Sequence, residues 1–243
     1  MIKELFNRNN VDWVKKNIYE ILGDPATLIR DQYDGTDKKY QGDKCEKYWA
    51  QIMNLQGIPN DWIKNWGNTY SYLNGLGADF IVHTMEPTIQ DVKSTTSITS
   101  HSEVYFQRLK YHSRDDGNTW TFYSNGLVDD KYLADELIYF DTDKKWALVL
   151  DVDKIRDFYF NHVAQNPSIW DHNPDGHIED SNDGGITKAY GFFIKICYFN
   201  QYIKAIKKLY VYELDNNDNI INVRDESFRL FQDELFGNIK FDI

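Results

Sequence analysis

Asp79, Asp91 and Lys93 are the residues whose types and spacing most directly suggest chemistry. Asp91 and Lys93 are two apart, with Val92 between them, so on a strand their side chains share one face. Asp79 heads the apolar run Phe80, Ile81, Val82, and Met85, Glu86 and Pro87 separate that run from a second strand-like stretch, residues 88–94. An antiparallel hairpin centred on Met85 sets Asp79 opposite Asp91; one centred on Glu86 sets it opposite Lys93. Either register gathers two carboxylates and an ammonium on one face, at the end away from the turn. Two such carboxylates repel each other without a cation, whereas a hard divalent ion turns them into an oxygen site. A lysine beside that ion can orient a water or stabilise charge on a phosphate.

The elements that must position these groups follow from periodicity. Cys45, Tyr48, Trp49, Ile52 and Met53 recur at helical spacing and form one buried stripe. Residues 42–46 open this helix, and Gly57 and Pro59 end it. Glu46 sits at the edge of the stripe, where a third carboxylate faces the sheet. An earlier helix is read over 11–22, from Val11, Val14, Ile18 and Ile21 with Asp12 as a cap, followed by a polar stretch over 23–41.

Strands are read over 77–83, 88–94, 103–111 and 119–124, the last two joined through 114–118. A hairpin over 136–141 and 146–151 turns at 142–145. Ile155, Phe158, Tyr159, His162 and Val163 repeat the helical stripe. Residues 164–188 read as a long polar loop. Phe192, Ile194, Ile196 and Tyr198 alternate like a strand, while Tyr202, Ile206 and Leu209 suit a helix as well as a strand. A last helix is read over 225–235, with Phe228, Phe231 and Leu235 inward. The expected fold class is α/β, with a central mixed β-sheet flanked by helices.

Charge and composition exclude several classes. Lys plus Arg number 27 and Asp plus Glu 38 in 243 residues, a net charge of −11, so a protein that holds nucleic acid by overall charge is excluded. Cys45 and Cys197 are the only cysteines, too few for a disulfide framework or a four-cysteine zinc site; both lie in apolar stripes and read as core. No apolar run approaches a membrane span, and the charged N-terminus lacks the apolar centre of a signal peptide. The expectation is a cytoplasmic protein with no membrane partner.

Residues 42–97, about a quarter of the chain, resemble the core of the PD-(D/E)XK nuclease superfamily. Its members run helix, β-hairpin and third strand, then helix and strand. Glu46 resembles the helix acid, Asp79 the first acidic position, and Asp91, Val92 and Lys93 the D/E-x-K element. Ala78 stands where many members have Pro. The resemblance implies a restriction-endonuclease-like core over 42–165, a helical extension over 1–41 and a C-terminal elaboration over 166–243 packed on the core. It implies hydrolysis of phosphodiester bonds with Mg²⁺, or Mn²⁺ as a substitute. Asp79, Asp91 and the Val92 carbonyl would ligate the metal. Lys93 would position or activate the attacking water, and Glu46 would hold a second metal or its water. The implied protein is a DNA endonuclease of restriction or mobile-element type acting on double-stranded DNA, with a homodimer compatible. Lys93, Arg108, Lys110, Arg114, Lys131 and the group Lys204, Lys207, Lys208 are available for the DNA backbone.

Other signals are weaker. Residues 171–182 resemble a calcium loop, with Gly176 sixth and Ile178 eighth, but Asn182 stands where a bidentate Glu is needed. His172 and His177 lie beside acids without further zinc ligands in reach. His83, His101 and His112 flank the sheet region, and no spacing selects one. The rival function is an acidic, non-catalytic binding protein: a DNA mimic, or a nuclease-fold remnant acting as an inhibitor or assembly module.

Overall fold

The computed structural model describes residues 37–63, 73, 76–94, 103–124, 126–166, 177–180, 185–196 and 203–227. The helix read over 11–22, His101, His172, Cys197 and residues 228–235 lie outside these. In chain order the elements are α1 (Asp37–Leu55), β1 (Asn60–Trp62), β2 (Phe80–Val82), β3 (Thr88–Ser94), β4 (Glu103–Ser113), β5 (Thr121–Ser124), β6 (Glu136–Asp141), β7 (Trp146–Asp151), α2 (Val152–Phe158), β8 (His177–Asp180), β9 (Ile186–Lys195), β10 (Ile206–Leu214) and β11 (Ile220–Asp225). Among the described residues no helix is long and apolar enough to cross a membrane.

Helix α1 starts at Asp37 rather than near Gly42, because no Pro or β-branched residue interrupts 37–45. It stops where Gly57 takes φ +66. Ile58 N–H then donates to Met53 O at 2.9 Å and Gly57 N–H to Asn54 O at 3.1 Å, so a left-handed glycine satisfies the last carbonyls.

The architecture is α/β, built on a seven-stranded mixed sheet in the order β1-β2-β3-β6-β7-β10-β11. Among the described strands only β3 and β6 run parallel, Asp91 lying beside Leu137 and Lys93 beside Tyr139. Asp135 locks that register: its N–H donates to Ile89 O and its carboxylate accepts the Ile89 N–H, both at 2.8 Å. A parallel pair needs a crossover. Here the intervening chain carries β4 and β5, which belong to a second, four-stranded sheet in the order β5-β4-β9-β8.

The expectation of one sheet flanked by helices is therefore corrected. Helix α1 covers one face: Cys45, Trp49 and Met53 pack against Phe80, Val92 and Phe140. The second sheet covers the other, where Val104, Phe106, Phe192 and Ile194 meet Leu137, Tyr139 and Leu148, joined by Ile155 of α2. Each such fully buried side chain contributes roughly 1.5–3 kcal/mol. Strict alternation along β6 makes the double cover possible, since Ile138 and Phe140 face α1 while Leu137 and Tyr139 face the second sheet.

Three further expectations change. Residues 177–180 and 186–188, read as loop, are strand; β8 is an edge strand and tolerates a polar sequence. Residues 206–209, compatible with a helix on periodicity, belong to strand β10, where they pair with β7. Asp225, read as the start of a helix, is the last residue of β11.

Candidate active site

The β2–β3 hairpin is centred on Met85, pairing Phe80 with Gln90, Ile81 with Ile89 and Val82 with Thr88. Of the two registers the sequence allows, this is the one that sets Asp79 opposite Asp91. Asp79 stitches three strands together. Its carbonyl accepts from Ile63 N–H at 2.9 Å, its N–H donates to Gln90 O at 2.9 Å, and its carboxylate Oδ2 accepts from Val92 N–H at 2.8 Å. Strand β2 begins only at Phe80, so the Asp79 side chain stands in for the main-chain acceptor that a longer strand would offer. A strand residue directs its N–H and C=O toward the same neighbour. The Val92 carbonyl therefore also points toward the Asp79 side of β3.

Asp91 is 1% exposed and Asp79 6%. Both oxygens of Asp91 are engaged. Lys93 Nζ lies 2.5 Å from Oδ1, and Tyr132 donates its phenol hydrogen to Oδ2 at 2.5 Å. Burial is the main force that holds the Asp79 carboxyl well above the usual carboxylate range; the charge of neighbouring Asp91 and a hydrogen bond to it add to the effect, and Lys93 opposes it. Desolvation would pull the Lys93 ammonium down, but the charges of Asp91 and Asp79 prevail and raise it. With 47% of the side chain in solvent, Lys93 is a cation at the rim of the site. Burial, then Asp91, also raises the Tyr132 phenol.

Tyr132 is the residue sequence reasoning missed. It lies 41 positions from Asp91, in the segment before β6, and no local pattern marks it. Its own segment and its neighbours place it. Its N–H donates to Asp129 O at 3.1 Å, and Leu133 N–H to Leu76 O at 2.7 Å. The buried Arg156 guanidinium donates to Leu127 O at 2.5 Å and to Asp129 O at 3.0 Å, anchoring the segment to α2. Gly77, at φ +74, presses its Cα against the Tyr132 ring; a Cβ there would overlap the ring.

Glu46 does not join the cluster. Along β3, Gln90 and Val92 face α1, so Asp91 and Lys93 face the second sheet. Glu46 rides on α1, on the opposite face, and its Oε2 accepts from Trp62 Nε1 at 2.7 Å. The edge of the helical stripe does put this carboxylate against the sheet, but on the side away from Asp91. Its charge is still felt at Asp79 and Lys93.

The other sequence candidates are dispersed. His83 lies 2.7 Å from Asp61 Oδ2 at the sheet edge, and His112 is on β4. Residues 171–176, 181 and 182 of the calcium-like stretch lie outside the described residues; 177–180 form β8. Cys45 is buried core, its thiol pushed up to about 12 by burial.

Among the described residues no group of three His, Cys, Asp or Glu side chains is placed to hold a metal ion. The Asp79–Asp91 pair nonetheless suits a hard cation in its chemistry. Burial, and then the charge of Asp91, favours a proton on Asp79, and a hard divalent ion can take that proton's place between two carboxylates. Asp79, Asp91 and the Val92 carbonyl would hold it. No protein-family model, no curated protein and no solved structure matches the chain.

Proposed function

We propose that the chain is a metal-dependent nuclease that hydrolyses phosphodiester bonds in double-stranded DNA. The observation that carries this reading is the buried Asp79–Asp91 pair with the Lys93 ammonium at its open rim. Mg²⁺, with Mn²⁺ as a substitute, would supply Lewis acidity toward the scissile phosphate and the attacking water.

The chain's own groups do the rest. Lys93 is held as an ammonium, so it does not abstract a proton. It donates hydrogen bonds and stabilises negative charge growing on a phosphate oxygen. Tyr132 fixes the orientation of the Asp91 carboxylate from behind. Val92 N–H does the same for Asp79. Glu46 acts through its charge, from across the sheet. The test is cleavage of plasmid DNA with Mg²⁺ or Mn²⁺, its loss on chelation, and its loss in Lys93→Ala.

A second reading has its own observation. Lys93 neutralises Asp91 without any metal, and the chain carries a net charge of −11. Both suit an acidic, non-catalytic binding protein with a nuclease-like remnant at its centre. Such a protein binds a nucleic-acid enzyme and leaves DNA intact in every metal tested.

A further inference from the structure

On the α1 face of the large sheet lies a cavity of about 150 Å³ that the nuclease reading does not use. Trp49, Met53, Val82 and Val149 form an apolar floor, and Thr88, Glu136, Lys207 and Lys208 line its polar side. Adjacent strand residues ordinarily point to opposite faces. Lys207 and Lys208 escape this rule because β10 carries a β-bulge: Ile206 pairs with Leu150 and Lys208 with Val149, so Lys207 is an extra residue against β7. A bulge re-aims a side chain and is a frequent device at functional sites. Here it brings two neighbouring ammonium groups to one cavity.

The remaining polar groups are tied down. Trp49 Nε1 donates to Gln90 Oε1 at 2.7 Å, and Gln90 Nε2 to Glu136 Oε2 at 2.7 Å. Lys207 Nζ lies 2.5 Å from Glu136 Oε1. Lys208 gives one donor to the Tyr210 hydroxyl at 3.1 Å, and an ammonium has three. Asp135 and Asp151 act on Lys207, and Asp225 on Lys208, from outside the lining. Of the lining residues Glu136 is the one carboxylate and it pairs with Lys207, so Lys208 is the lining cation with donors to spare for a ligand. The cavity's size suits one aromatic ring, since cavities of about 150 Å³ hold benzene.

We propose that this cavity binds a small amphipathic anion, a single-ring apolar body carrying one carboxylate or phosphate, with the ring on Trp49 and Met53 and the head at Lys208 and Lys207. The experiment is calorimetric titration of the full-length chain with benzoate, phenyl phosphate and the uncharged benzyl alcohol, repeated on Lys208→Ala and Thr88→Phe. Lys208 is exposed, so its truncation spares the fold; Thr88, half-buried at the start of β3, lines the cavity, so a phenyl group there takes up its space. The expected result is binding of an anion, with benzyl alcohol weaker by about tenfold or more, a similar loss in Lys208→Ala, and no binding in Thr88→Phe. Stronger response to phenyl phosphate than to benzoate assigns the head as a phosphate, the reverse as a carboxylate. No heat from either anion up to about 10 mM, equal affinity for benzyl alcohol, or undiminished binding in both variants overturns the proposal. None of these readouts depends on nuclease activity.

Discussion

The Tyr132 phenol donates to Asp91 Oδ2 at 2.5 Å, while Lys93 holds Oδ1 of the same carboxylate at 2.5 Å. A buried carboxylate with both oxygens engaged has one orientation. Tyr132→Phe keeps the ring and removes the donor, leaving one oxygen of a 1%-exposed group without that partner. The expected cost is about 1–3 kcal/mol of stability, read by urea denaturation. A loss below about 0.5 kcal/mol shows that Tyr132 does not satisfy Asp91 in solution.

Asp79 carries a pH signature. Its folded pKa is raised, so its contribution to stability is fully present below the unfolded value near 3.9 and is lost as pH rises through the folded value. Asp79→Asn imitates the protonated form, and the amide oxygen can still accept from Val92 N–H. In metal-free buffer the variant is expected to melt at or above the wild-type temperature at pH 7, the difference vanishing in acid. Mg²⁺ should raise the wild-type melting temperature and leave the variant unchanged apart from an effect matched by Na⁺ at equal ionic strength. A full wild-type Mg²⁺ shift in Asp79→Asn removes Asp79 from the ligand set.

Gly77 supplies a purely steric test. Its φ of +74 and its contact with the Tyr132 ring both exclude a side chain. Gly77→Ala is expected to cost about 1–3 kcal/mol or more, and near-ultraviolet circular dichroism should report a displaced tyrosine. A variant with unaltered stability contradicts the close approach.

The β4–β5 turn predicts the opposite pH sign. Hydrogen bonds from Ser113 and Thr119 lower Asp115 to about 2. A depressed carboxylate stabilises above its unfolded pKa near 3.9 and loses that contribution as pH falls toward the folded value. Asp115→Ala should melt below wild type at pH 7, with the gap narrowing between about pH 4 and 2. Parallel melting curves at every pH contradict the turn as drawn.

What could be read from the sequence was the local part. Two-residue alternation and the turn around Met85 located the β2–β3 hairpin, and with it the common face of Asp79, Asp91 and Lys93. Helical spacing located the core stripe of α1 through Cys45, Trp49 and Met53. Which face that helix covers is a matter of handedness and tertiary packing, so Glu46 was expected beside Asp91 and lies across the sheet. Tyr132 reaches Asp91 over 41 residues, a separation that carries no periodic signal. The second sheet pairs β4 with β9, from Glu103 with Lys195 to Ser113 with Ile186, and no one-dimensional pattern records such pairing.

The measurement closest to the central claim is cleavage of supercoiled plasmid DNA by purified wild-type chain and Lys93→Ala, in Mg²⁺, in Mn²⁺ and with a chelator. Lys93 is a rim residue, so the variant should fold as wild type does. Wild type should nick or linearise the plasmid in either metal and leave it intact with the chelator, and Lys93→Ala should cleave more slowly by about a hundredfold or more. DNA left intact by wild type in both metals, or the same cleavage by wild type and Lys93→Ala, contradicts that claim.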